Sequence, residues 1–243
     1  MRMHHKTIFL AGLLVLCLAG CSGLPPGYGD KSTYVVRKGD TLYSIAFRYG
    51  LDYKSLARLN SIHPPYTIYV SQVLRLNGSA RMPEKDSGPV VKSAPNSTPN
   101  STPKAMPPVA SKPPPIAPVS TWRWPLNGRV IAPFSLKNPV NKGIDIAGTR
   151  DEKVYAAADG TVVYAGGNLR GYGKLVIVKH NENYLSAYGN NQSLLVKEGE
   201  FVKAGKAIAR VGVTNGGEAM LHFEIRRDGK PEDPLRYLPK TGT

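Results

Sequence analysis

Cysteine is almost absent: of 243 residues only Cys17 and Cys21 carry a thiol, and both lie in the first 21 positions. Everything after them has no disulfide and no thiolate to offer a metal. Histidine is nearly as scarce, with His4, His5, His63, His180 and His222 the full set. A zinc hydrolase needs three protein ligands and usually a separate acid or base, so that supply is tight. Acidic residues are short as well, 17 Asp and Glu against 32 Lys and Arg, for a formal charge of +15. Such a balance suits an acidic membrane surface or an anionic wall polymer, although a solvated basic surface produces it too. No DNA- or RNA-binding motif accompanies the charge, so nucleic acid is not an expected partner.

Long apolar runs are missing. The first candidate, Ile8 to Leu18, follows Arg2 and Lys6 and is too short to cross a bilayer, so residues 1–20 read as an export signal. The segment ends in Leu18-Ala19-Gly20-Cys21, which resembles a lipoprotein signal box. That resemblance implies cleavage before Cys21 and acylation of its thiol and new amino group, with Ser22 favouring the outer membrane on the periplasmic side. Several acyl chains, each methylene contributing about 0.8 kcal/mol, would anchor the protein stably. Residues 21–32 then form a short tether.

Residues 33–77 carry the signals of a compact unit. Tyr34-Val35-Val36 is a β-branched run and Lys38-Gly39-Asp40 a turn. Thr41 can cap a helix through Leu42, Ile45, Ala46 and Tyr49, which Gly50 stops; a second helix carries Tyr53, Leu56, Ala57 and Leu59. Pro64-Pro65 turns the chain back toward the strand Val73 to Leu76. The strand-helix-helix-strand order, with "YVVRKGDTLYSIAFRYG" and "LARLN", closely resembles the LysM module. The resemblance implies binding of N-acetylglucosamine-containing glycan, here peptidoglycan, between Gly39-Asp40-Thr41-Leu42 and the loop with Asn60, Ile62, Pro64 and Pro65. His63 beside the prolines reads as a loop surface residue.

Residues 78–120 hold eleven of the 21 prolines, between Pro83 and Pro118, among Ser, Thr and Lys. Such a segment buries too little apolar surface to offset its ordering entropy, and reads as an extended, semi-rigid spacer.

From 121 to 243 the texture changes to short apolar runs separated by glycines. Strands are expected at Arg129–Ile131, Ile144–Ile146, Thr161–Tyr164, Leu175–Val178, Tyr184–Tyr188, Ala207–Val211 and Leu221–Ile225. Seven strands in roughly 120 residues suggest an antiparallel sandwich or open barrel with a groove across it. "GIDIAG", "YAAADGTVVYAG", "GYGKLVIVKH", "LHFEI" and "DPLRYL" then resemble a LytM domain, the lysostaphin-type zinc endopeptidase fold. The fold class is therefore a mainly β LytM domain joined to a small α+β LysM domain.

Active LytM domains hold zinc with His-x-x-x-Asp and the second His of His-x-His, and use two further histidines around the water. Carried over, that pattern puts Asn141 where the first ligand belongs, keeps Asp145, puts Asn190 after Ala187-Tyr188-Gly189 in place of a histidine, and has Met220 before the retained His222. An amide is a poor zinc ligand beside imidazole or carboxylate. His180 ends a strand and reads as a surface residue; Asp151, Glu152, Asp159 and Glu224 lack metal-motif spacing to His222. No catalytic residue, metal or cofactor is expected.

The whole arrangement resembles the NlpD/EnvC/YgeR group of cell-wall amidase activators. Membership implies a periplasmic N-acetylmuramoyl-L-alanine amidase as partner, held in the metal-less groove, and Asn141, Lys142, Asp145, Arg170, Tyr188, Asn190 and His222 are the residues expected to line it. A peptidoglycan metalloendopeptidase with a rearranged site, and a plain wall tether, are the other two readings. Metal content and digestion with and without an amidase separate them.

Overall fold

The computed structural model describes residues 32–77, 119 and 121–240. The expected export signal, acylation at Cys21 and spacer lie outside the described residues. No described helix is long and apolar enough to cross a membrane.

The first unit has strand β1 (Thr33–Val35), helices α1 (Leu42–Tyr49) and α2 (Tyr53–Leu59), and strand β2 (Val73–Arg75), with Val35 opposite Val73 in an antiparallel pair. Helix α1 begins in a reciprocal cap: Thr41 Oγ1 accepts from the Ser44 amide, and Ser44 Oγ from the Thr41 amide, each at 3.0 Å. Gly50 ends it at φ 67°, a left-handed position that glycine takes without a Cβ penalty. Asp52 caps α2 by accepting from the Ser55 amide at 3.0 Å. The two helices and the ribbon enclose Tyr34, Leu42, Ile45, Leu56 and Leu74.

Strands β3 (Val130–Ala132), β4 (Ile144–Ala147), β5 (Lys153–Tyr155), β6 (Gly160–Gly166), β7 (Lys174–Lys179), β8 (Tyr184–Leu194), β9 (Phe201–Val202), β10 (Ala207–Val213), β11 (Ala219–Arg227) and β12 (Lys230–Glu232) follow, and a 3-10 turn at Pro234–Arg236 closes the described chain. All pairings are antiparallel. The main path runs β3-β4-β11-β10-β8-β7-β6-β9, with β11 also bonded to β8 and β12. The seven expected strands are present, several of them longer than expected; β5, β9 and β12 were missed. β9 is two residues long and β12 contains a proline, so neither gives a periodic signal.

Side chains alternate across the sheet. Val162, Val176, Val178 and Tyr188 enter the main core with Ile144, Ile146, Leu221, Phe223 and Ile225. Their neighbours Tyr164, Leu175, Ile177, Leu185 and Ala187 face the other way and form a separate buried cluster. The unbroken apolar run in β7 thus reflects a strand covered on both faces. His180 departs from the surface position expected of it. It is fully buried, edge-on to Trp122 at 4.9 Å, with Nδ1 2.8 Å from the Asp159 carbonyl and Nε2 2.7 Å from Ser186 Oγ. Burial holds its pKa down, to about 4, against the hydrogen bond and charge of Asp159.

Candidate functional site

Strand β11 alternates Leu221, Phe223 and Ile225 into the core with His222, Glu224 and Arg226 on its opposite side. That register puts His222 directly across from Asp145 of β4 and from Gly189 of β8. His222 Nδ1 lies 2.7 Å from Asp145 Oδ1 and Nε2 3.1 Å from Glu224 Oε1. Glu224 Oε1 also accepts from Tyr172 OH at 2.8 Å, and Oε2 from Arg226 Nε at 2.7 Å. Four ionisable side chains therefore run in a line, Asp145–His222–Glu224–Arg226. At the outer end the Asp145 and His222 side chains are each 19% exposed; at the inner end Glu224 is closed off entirely.

The line sets its own protonation. Burial would lower the His222 pKa, but the hydrogen bonds and charges of Asp145 and Glu224 outweigh it and raise the pKa to about 9. Burial would raise Glu224, and the charge of Arg226 with the bond and charge of His222 brings it down instead, to about 2. At neutral pH the middle of the site is an imidazolium bound by two carboxylates, with both ring N–H groups donated.

The residues expected at the groove are distributed unevenly. Asn141 precedes β4, where its backbone pairs with Ser135 in both directions at 2.8 Å. Its Oδ1 accepts from the Gly143 amide at 3.2 Å, and its Nδ2 reaches the Ala132 carbonyl at 3.5 Å. Gly143 lies so close to β11 that a Cβ there would sit 2.1 Å from the Phe223 carbonyl oxygen. Asn190 takes a positive φ of 59° and donates to the Met220 carbonyl at 2.8 Å, bringing the positions of Asn190, Met220 and His222 together. Lys142 is half-buried and Arg170 exposed. Tyr188 corrects the expectation: it is fully buried, hydrogen-bonded to the Ala157 amide and Ser186 Oγ, because its place in the β8 alternation points into the main core. Glu224 was weighed only as an oxygen ligand and set aside for its spacing, and Arg226 and Tyr172 were not foreseen as members. The alternation of His222, Glu224 and Arg226 between apolar neighbours was the available signal for the first two.

In the helical unit, Leu42 is fully buried in the core and Ile62 packs against it. Asp40 is spent internally, accepting from Tyr34 OH at 2.6 Å and the Arg37 amide at 2.9 Å, with Arg48 at 3.5 Å. Its side chain is only 2% exposed, so it does not stand open to a sugar hydroxyl as expected. Asn60 clamps Leu56 and Arg75 through three hydrogen bonds. Gly39, Pro64 and Pro65 are exposed and Thr41 is half-buried.

The zinc of lysostaphin-type domains does not fit this donor set. Both His222 ring nitrogens are engaged by carboxylates and the Asn141 oxygen is committed to its own loop, which leaves Asp145 and His222 as two donors where a catalytic zinc needs three. Among the described residues no group of three His, Cys, Asp or Glu is arranged to hold a metal.

Residues 139–234 match peptidase family M23 and residues 34–77 match the LysM domain. The lipoprotein NlpD/LppB homolog of Pseudomonas aeruginosa is 46% identical over 96% of this chain and 92% of its own length. This chain belongs to the NlpD/LppB lipoprotein family. The lipoprotein YgeR of Escherichia coli is 44% identical across 100% of this chain and 97% of its own. The murein hydrolase activator NlpD of Salmonella dublin is 41% identical over 89% and 71%. Among solved structures, Helicobacter pylori Csd3 aligns at 30% identity and a TM-score of 0.45 over 51% of this chain, which spans only 34% of that one.

Proposed function

We propose that the protein is a non-enzymatic activator of a periplasmic N-acetylmuramoyl-L-alanine amidase, tethered to the outer membrane by lipid at Cys21. The helical unit holds peptidoglycan, and the groove beside Asn141, Asp145, Asn190 and His222 holds the amidase. The observation that carries this reading is the doubly engaged His222: at the place of a metal ligand, both ring nitrogens are taken by the protein's own carboxylates, Asp145 and Glu224. Such a groove offers an extended peptide a place to lie, with both His222 nitrogens already engaged and Glu224 closed off. Binding the open form of the amidase better than the closed form would raise the open population without any chemistry here. The relatives named murein hydrolase activator support the reading.

The test is metal analysis of the purified mature chain combined with digestion of peptidoglycan, by the chain alone and with a purified amidase. Digestion only when the amidase is present supports activation. Stoichiometric zinc with digestion by the chain alone overturns it in favour of a metallopeptidase.

A further inference from the structure

Helix α1 carries a large apolar side chain that its own module does not use. Phe47 is 2% exposed, yet it packs with Tyr164, Leu169, Leu175, Ile177, Leu185 and Ala187 of the LytM domain rather than with the core of the helical unit. Around it the polar contacts also cross between domains. Arg226 Nη1 donates to the Phe47 carbonyl at 2.6 Å, and the guanidinium lies 3.4 Å from the centre of the Phe47 ring. Tyr53 OH donates to Glu182 at 2.8 Å. Gly229 meets the backbone of Leu51 so closely that a Cβ would sit 2.3 Å from its oxygen. An apolar strand face, a desolvated cation and a fitted turn are the marks of an interface built to close.

That interface reaches the turn expected to form one wall of the glycan groove. Thr41 Oγ1 donates to the Val163 carbonyl at 3.1 Å, and Asn168 Nδ2 donates to the Lys38 carbonyl at 3.3 Å. A Cβ on Gly39 would stand 2.5 Å from the same Asn168 nitrogen. The facing wall, with Ser61 and His63 to Pro65, is exposed. A sugar hydroxyl that takes Lys38 O and Thr41 Oγ1 must first displace Asn168 and Val163.

We propose that the LysM module is an intramolecular ligand of the LytM face formed by β6, β7 and β8, and that a peptidoglycan glycan strand competes with this docking. Binding the strand releases the module and uncovers Arg226, the inner end of the ion line that leads to His222 and Asp145. Undocking removes the Phe47 carbonyl and ring from Arg226, so both the wall and the groove bias one two-state contact, as coupling requires. The inference rests on the peptidoglycan reading of the module.

The test uses the purified mature chain, isolated peptidoglycan sacculi and a soluble pentamer of N-acetylglucosamine. Phe47→Ser removes the apolar anchor, and Leu169→Ser weakens the same contact without touching the LysM sequence. A docked state favoured about tenfold weakens apparent glycan affinity by about that factor, so both variants should bind sacculi roughly tenfold tighter. In the unaltered chain the pentamer should accelerate amide hydrogen exchange at residues 163–170 and in β11 near Arg226. Sacculus binding that is identical in all three chains, with exchange at 163–170 unchanged by the pentamer, overturns the competition while leaving the peptidoglycan reading intact. If none of the three chains sediments with sacculi, the peptidoglycan reading fails and the competition with it.

Discussion

Replacing Arg226 by methionine isolates the inner half of the ion line. The Arg226 and Glu224 side chains are 1% and 0% exposed, so the substitution leaves a carboxylate sealed from water with its main counter-charge removed. Breaking a buried pair from one side costs about 3–5 kcal/mol, and losing the stack on Phe47 adds roughly 0.5–2 kcal/mol. Against a total domain stability of about 5–15 kcal/mol this is a large fraction. The chain's two tryptophans, Trp122 and Trp124, both lie in the LytM domain, so urea unfolding followed by their fluorescence reports on that domain. Arg226→Met should move the midpoint sharply down. The double variant Glu224→Leu, Arg226→Met should recover part of the loss, because no unpaired charge remains. Recovery stays partial because His222 loses one of its two carboxylate partners, at about 1–3 kcal/mol for a polar group left short of a hydrogen bond. A single variant within about 1 kcal/mol of the parent, or a double variant equal to the sum of the singles, would refute the reasoning.

Two further outcomes follow from the same geometry. His180 and His222 should titrate by NMR near pH 4 and pH 9, on either side of the ordinary 6.5. His222, raised, contributes stability that is complete below 6.5 and lost as pH climbs through about 9. His180, lowered, contributes above 6.5 and loses it as pH falls through about 4. A His222 resonance that titrates near 6.5 would mean that the two carboxylates do not hold it as described. Asn141→His, Asn190→His and Met220→His made together should begin to recover zinc binding, read by isothermal titration of the purified chain. No gain would show that these positions do not converge on Asp145 and His222.

Much of the fold was legible because its strands are written in period two and its helices in caps. "GDT" before α1 and the glycine after it fixed both ends of that helix, and Ile144 to Ile146 showed its buried and open faces directly. Tyr188 misled because a tyrosine beside a motif residue looks like a groove wall, while strand parity had already turned it inward. The line from Asp145 to Arg226 was half visible, in the polar positions of β11. What could not be read was its continuation to Phe47: a hydrogen bond to a carbonyl 179 positions away in sequence leaves no local pattern. The same holds for the second apolar face of β7, whose run of Leu, Val, Ile and Val announced double burial without saying what would lie on top.

Gly143 sets how closely the Asn141 segment lies against β11. With an oxygen of β11 2.1 Å from where a methyl would begin, even alanine would lever the Asn141 segment away from Phe223. The spacing between that segment and β11 is thus fixed by the room left for a single hydrogen. Side chains along the two segments can be exchanged, but the backbone approach of Gly143 to Phe223 leaves room for glycine alone.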